Sequence, residues 1–120
     1  MMIMFENNIK GVTNEDGRTK YLLYLYVSGM TPRAKDAIMN IRRICEEELK
    51  GSYELKVIDI YQQPSLAKEE QILVAPTLIR RLPLPLRRLV GDMSNKHKVI
   101  VGLDIKIAKK DENNETGEAK

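Results

Sequence analysis

The sequence predicts an α/β domain built on a strand-helix-strand unit, and three segments carry that prediction. Residues 21–27 (Tyr-Leu-Leu-Tyr-Leu-Tyr-Val) form an unbroken apolar run, as expected of a strand covered on both faces. Residues 32–49 place Ala34, Ala37, Ile38, Ile41, Ile44, Cys45 and Leu49 on one helical stripe, with Arg42, Arg43, Glu46 and Glu47 off it. Residues 53–60 alternate Tyr53, Leu55 and Val57 with charged side chains, the pattern of a second strand. Two strands joined through a helix by short links form a right-handed crossover, which makes the strands parallel.

The boundaries of these elements are also written locally. Ser28, Gly29 and Met30 break the first strand; Thr31 is a good N-cap, and Pro32 occupies the first helical position, where a missing N–H costs nothing. Gly51 supplies the stop. A second helix is expected over residues 64–72 from Pro64 onward, although Gln63 is a poor cap. Residues 74–79 are a short strand candidate in which Pro76 marks an edge, a strand start or a cis bond. Prolines 83 and 85 keep residues 82–86 extended and exclude helix. Residues 99–107 fit two periods at once. Val99, Val101, Leu103, Ile105 and Ile107 alternate as a strand, whereas Val99, Ile100, Leu103 and Ile107 share a helical face that Ser94 would cap. The β-branched residues favour the strand.

Residues 1–19 are read as a loosely ordered N-terminal extension with an apolar tip, residues 20–108 as the folded domain, and residues 109–120 as a polar tail too hydrophilic to repay ordering. The chain carries 42% hydrophobic and 31% charged residues, the balance of a folded globular protein. Its net charge of +3 is spread among acidic residues rather than gathered into a stripe, which argues against nucleic acid as a partner. No apolar run is long enough for a membrane span, and the N-terminus lacks the basic start and apolar stretch of a signal peptide; a cytoplasmic location is expected.

Little in the sequence points to catalysis. The turn after the first strand, where a thioredoxin-type oxidoreductase carries its two thiols, reads Ser28-Gly29-Met30-Thr31 and has none. Cys45 lies on the apolar stripe and His97 is the sole histidine, so no catalytic residue, cofactor or metal site is expected. Glu46, Glu47 and Glu48 read as the wet side of a helix. Tyr21, Tyr24 and Tyr26 read as packing side chains on the face opposite Leu23, Leu25 and Val27, and Arg80, Arg81, Arg87 and Arg88 bracket the proline run as a solvated rim or a protein-docking patch.

Five stretches carry a resemblance that covers about residues 20–108: Leu-Tyr-Val-Ser-Gly-Met-Thr-Pro at 25–32, Leu-Lys-Val-Ile-Asp at 55–59, Ile-Leu-Val-Ala-Pro-Thr-Leu at 72–78, Leu-Pro-Leu-Pro-Leu-Arg-Arg-Leu-Val-Gly-Asp at 82–92, and Val-Gly-Leu-Asp at 101–104. In order and spacing the chain resembles the KaiB family of clock proteins. The resemblance implies a non-catalytic regulator that binds a KaiC-type ATPase. It also implies two folds: a thioredoxin-like βαβ N-terminal half with a C-terminal half that can adopt an alternative KaiB ground-state fold, in a homo-oligomer that is a tetramer or dimer. Residues implied to tune that balance are Tyr21, Pro76, Gly102, Asp104 and Ile107, the last standing where a tyrosine is typical. Arg80, Arg87 and Arg88 are the implied partner-binding residues. Asp36 stands where a basic residue is common, and Leu84 replaces a third proline. The competing expectation is a thioredoxin-like protein that binds glutathione or unfolded peptides without redox catalysis, suggested by Ala75-Pro76-Thr77, which resembles the cis-proline loop of that fold.

Overall fold

The computed structural model describes residues 12–13 and 19–106. In chain order the elements are β1 (Val12–Thr13), β2 (Thr19–Val27), α1 (Pro32–Glu48), β3 (Tyr53–Asp59), α2 (Pro64–Glu69), β4 (Thr77–Leu82), β5 (Arg87–Val90) and α3 (Lys96–Gly102). β2 is the middle of the sheet. It pairs in parallel with β3 along its whole length, from Tyr21 beside Tyr53 to Val27 beside Asp59, and antiparallel with β4. β4 in turn pairs antiparallel with β5, which lies at the edge, and β1 pairs antiparallel with the start of β2.

The strand-helix-strand half forms where its local signals place it. The Thr31 side chain accepts the Ala34 N–H at 3.1 Å, Pro32 opens α1, and Gly51 turns the chain away with φ near 77°, a conformation that suits a residue without Cβ. The stripe on α1 buries Ala34, Ala37, Ile41, Ile44, Cys45 and Leu49 against Tyr21, Leu23, Leu25 and Val27 of β2. A smaller cluster of Tyr26, Ile58 and Ile79 fills the other face beneath α2, with Tyr24, Ile60, Leu66 and Ile72 packed around it. The parity of Tyr21 differs from the expectation. The side-chain period of a strand is two, so odd-numbered Tyr21 joins Leu23 and Leu25 while Tyr24 and Tyr26 face the opposite way.

Five elements depart from expectation. Val12–Thr13, inside the segment read as a loose extension, is a short strand because its backbone finds the free end of β2. α2 stops at Glu69 rather than near residue 72, where Gln71 turns the chain with φ 57°. β4 begins after Pro76, which has no N–H for the ladder, and the basic stretch Arg87–Val90 is a strand that no pattern announced. The segment from Val99, whose pattern fits strand and helix alike, is helical as far as Gly102 in this structure. Asn95, not Ser94, caps α3 by accepting the Lys98 N–H at 3.0 Å, and the helical register buries Val99 and Leu103 in the main core. α3 ends at Gly102. Ile107, the polar tail and most of the N-terminal extension lie outside the described residues.

Candidate partner-binding site

The structure gathers Tyr21, Arg80, Arg87, Gly102 and Asp104 around the turn that follows α3. Alternation along β4 sends Arg80 to the α1 side of the sheet and Arg81 to the α2 side. Arg80 is only 3% exposed. Its guanidinium donates to the carbonyls of Leu103 and Asp104, each at 2.9 Å, and to the carbonyl of Pro85 at 2.7 Å, while its Nε has no partner among the described residues. One buried cation thus ties β4 to the turn after α3 and to the proline loop. It satisfies the carbonyl of Leu103, the cap of α3, which has no intrahelical partner, and that of Asp104 just beyond the helix. Buried Tyr21 adds a second tie, its hydroxyl oxygen accepting the Lys106 N–H at 2.8 Å.

Asp104 holds a left-handed conformation with φ 52°, which aspartate tolerates better than most residues. A hydrogen bond from the Lys106 ammonium holds its carboxyl below the usual carboxylate range, with Lys106, Arg87 and Arg80 adding favourable charge. Arg87 approaches the same carboxylate at 3.9 Å. Gly102, the last residue of α3, faces Leu89 of β5 so closely that a Cβ would lie 3.1 Å from Leu89 Cδ1.

Arg88 belongs to the other face, where it donates to the Glu70 carbonyl at 2.7 Å and lies 3.9 Å from the Glu70 carboxylate. Arg81 binds that same carboxylate and lies over the Tyr24 ring, 5.0 Å from its centre. Glu70 is therefore the junction of two arginines, and sequence reasoning missed it because its partners lie 11 and 18 residues away. Arg87 and Arg88 are partly exposed and reach solvent from β5, whereas Arg80 faces inward. Pro76 lies at the far end of β4 from Arg80, its carbonyl accepting the Gly91 N–H at 3.0 Å, so it does not join the cluster.

The glutamates at the end of α1 are not merely solvated. Glu46 accepts from the Tyr53 hydroxyl at 2.6 Å, and Glu47 and Glu48 both pair with Lys96. The Tyr53 hydroxyl is pushed up to about 12, first by that hydrogen bond and then by desolvation. Desolvation, helped by the Glu46 charge, pushes the buried Cys45 thiol up to about 12, the opposite of what a nucleophilic thiolate needs. Among the described residues no group of three side chains could hold a metal ion, and no helix is long and apolar enough to cross a membrane.

The KaiB domain model matches residues 24–105, more than half of the chain. The chain belongs to the KaiB family. It is 51% identical over 86 residues to "Circadian clock protein KaiB3" of Synechocystis sp., covering 72% of this chain and 84% of that protein. It is likewise 51% identical over 88 residues to "Circadian clock oscillator protein KaiB" of Prochlorococcus marinus, covering 73% and 84%. Both of these relatives are circadian clock proteins. Among solved structures, the N-terminal domain of SasA from Synechococcus elongatus matches with a TM-score of 0.60 at 22% identity, covering 75% of this chain and 89% of that one. Mitochondrial thioredoxin 3 from Saccharomyces cerevisiae matches with a TM-score of 0.59 at 17% identity, covering 86% and 88%. The fold of this KaiB-family chain is thioredoxin-like, with the redox turn occupied by Ser28-Gly29-Met30-Thr31.

Proposed function

We propose that this KaiB-family protein is a non-catalytic cytoplasmic regulator that binds a KaiC-type ATPase in its thioredoxin-like form, with Arg87 and Arg88 at the contact. The observation that carries the reading is the arrangement of β5: two arginines reach solvent from an edge strand whose neighbour, the turn after α3, is clamped from inside by Arg80. In this reading Arg80 acts by holding that surface in shape. The resting form is a homo-oligomer, a tetramer or dimer, in which residues 99–107 pair as a strand, so only a fraction of chains is competent to bind. At about 1% competence the apparent dissociation constant rises roughly a hundredfold, and association is slow.

The test is a titration of the KaiC-type ATPase from the same organism in each nucleotide state, followed for hours, alongside light scattering of the free protein. Slow, nucleotide-dependent binding that Arg87→Glu with Arg88→Glu abolishes is expected. Absence of binding in both nucleotide states removes the partner, and a free protein that is monomeric at micromolar concentration removes the oligomeric resting form. The competing reading, a binder of glutathione or unfolded peptides, is favoured by the pairing of Thr77 with Tyr26, which sets Ala75 and Pro76 beside the end of β2. Binding of glutathione at millimolar concentration, with none of the ATPase, would select it.

A further inference from the structure

The β5 edge has a property that its arginines alone do not convey. Gly91 N–H donates to the Pro76 carbonyl, and the ladder runs from Thr77 beside Val90 to Arg80 beside Arg87. In an antiparallel pair, residues that exchange hydrogen bonds alternate with residues that do not. Leu89 and Arg87 therefore turn their backbone groups toward β4, and Arg88 and Val90 turn theirs outward. No described strand pairs with that side of β5. Beside it lies a groove of 430 Å³ between β5 and α3, floored by Leu89 and walled by Val90, Val101, His97 and Lys98. Val90 and Val101 are 55% and 61% exposed.

We propose that this edge is a strand-addition site for an extended acidic segment of a partner, whose backbone pairs with Arg88 and Val90 while an apolar side chain enters the groove over Val101. Charge selects the occupant. A second copy of β5 would bring another pair of arginines against Arg87 and Arg88 within four residues, a like-charge juxtaposition that cross-strand neighbours disfavour. A strand carrying glutamates or aspartates at alternate positions instead meets Arg88 on one face of the sheet and turns its intervening apolar side chains to the other face, where the groove lies. Exposed edges with unpaired backbone groups are templates for such pairing, and side-chain pockets beside the edge supply the specificity. The proposal does not depend on the identity of the ATPase, because backbone pairing and charge are its only requirements.

The experiment uses the full chain and two six-residue peptides, one alternating glutamate with valine and the other lysine with valine, with amide chemical shifts and hydrogen exchange as readouts. The acidic peptide is expected to shift and protect the Arg88 and Val90 amides, and the basic peptide to bind about tenfold more weakly. Val90→Pro removes an outward N–H at a position where an edge strand tolerates proline; it should abolish binding while the Arg87 and Leu89 amides stay protected. Arg87→Glu with Arg88→Glu, which leaves the backbone intact, should reverse the peptide preference. Equal binding of the two peptides, absence of protection at Arg88 and Val90, or undiminished binding by a folded Val90→Pro chain would each overturn the proposal.

Discussion

The two halves of the molecule share one apolar core and differ in the polar ties added to it. Residues 19–59 fold around a local apolar pattern: the odd-numbered side chains of β2 meet the stripe of α1, and Thr31 and Pro32 fix where the helix begins. The stretch from β4 to Lys106 enters the same core through Leu78, Met93, Val99, Leu103 and Ile105, and adds polar ties between residues far apart in sequence. Arg80 reaches Leu103 and Asp104, Tyr21 reaches Lys106, Asn40 Nδ2 donates to the Asp92 carbonyl at 2.9 Å, and Lys96 spans to Glu47 and Glu48. Directed bonds can be removed one partner at a time, so the second half is open to single changes that leave the shared core in place.

The largest expected effect strikes the first half. Cys45 is fully buried on α1, and its thiol rises from an ordinary value near 9 to about 12 on folding. A group whose folded value is raised contributes stability that is complete below pH 9 and is lost as pH climbs toward 12, because the unfolded chain ionises first. By pH 11 the loss reaches about 3 kcal/mol at the order of magnitude. Denaturation midpoints measured from pH 8 to 11 should fall, and Cys45→Ala should flatten that slope even if it lowers stability at pH 8. A Cys45→Ala slope equal to that of wild type would dismiss the thiol as its source.

Arg80→Met should break the second half selectively. The change removes three bonds to carbonyls and costs about 2 kcal/mol or more, since charge-assisted bonds are the stronger kind. Hydrogen exchange should speed up at Val99 and Leu103 well before it does at Leu23 and Leu25. Uniform acceleration through both halves would mean that Arg80 does not hold the C-terminal half selectively.

The same contrast explains what the sequence made legible. Within the first half, cap, stripe and alternation act over a few residues, so the strand-helix-strand unit can be read directly. β5 cannot be, because Arg-Arg-Leu-Val has no apolar alternation and becomes a strand only by meeting β4. Residues 99–107 satisfy two periods, and the choice between them rests on Asn95, on Arg80 and on burial of Leu103, none of which a local pattern ranks. Of the expected site residues, Arg87 and Arg88 are exposed on β5. The inward aim of Arg80 and the junction at Glu70 depend on contacts that only the fold creates.

A smaller effect is expected from Tyr21→Phe, which keeps the ring in the core and deletes the bond to the Lys106 N–H. The loss should be about 1 kcal/mol, with faster exchange at the Lys106 amide and little change at the Leu25 amide. If Lys106 exchanges equally fast in wild type and variant, that tie contributes nothing to the C-terminal half.

The smallest and most diagnostic change is Gly102→Ala combined with Asp104→Arg, which bears on the proposed exchange between helical and strand forms of this segment. The structure revises the expectation for a helix that runs on past these residues. Gly102 ends α3, so alanine gains only part of the roughly 1 kcal/mol it would bring to a helix interior, and its Cβ presses on a Leu89 methyl that must yield a few tenths of an ångström. Arginine at position 104 agrees in sign with the C-terminal end of the helix dipole, where aspartate opposes it. Against this, it forfeits the exposed pairing with Arg87 and Lys106 and fits the left-handed conformation less well than aspartate. No comparable dipole acts on a strand, so the difference between the two forms still favours the helix, by on the order of 1 kcal/mol. That corresponds to about a fivefold shift in a two-state ratio. The double variant should show a modest rise in monomer fraction and a several-fold faster association with the ATPase. If its oligomer size and association rate match those of wild type, the helix end at Gly102 does not govern the equilibrium, and control passes to the ties made by Arg80 and Tyr21.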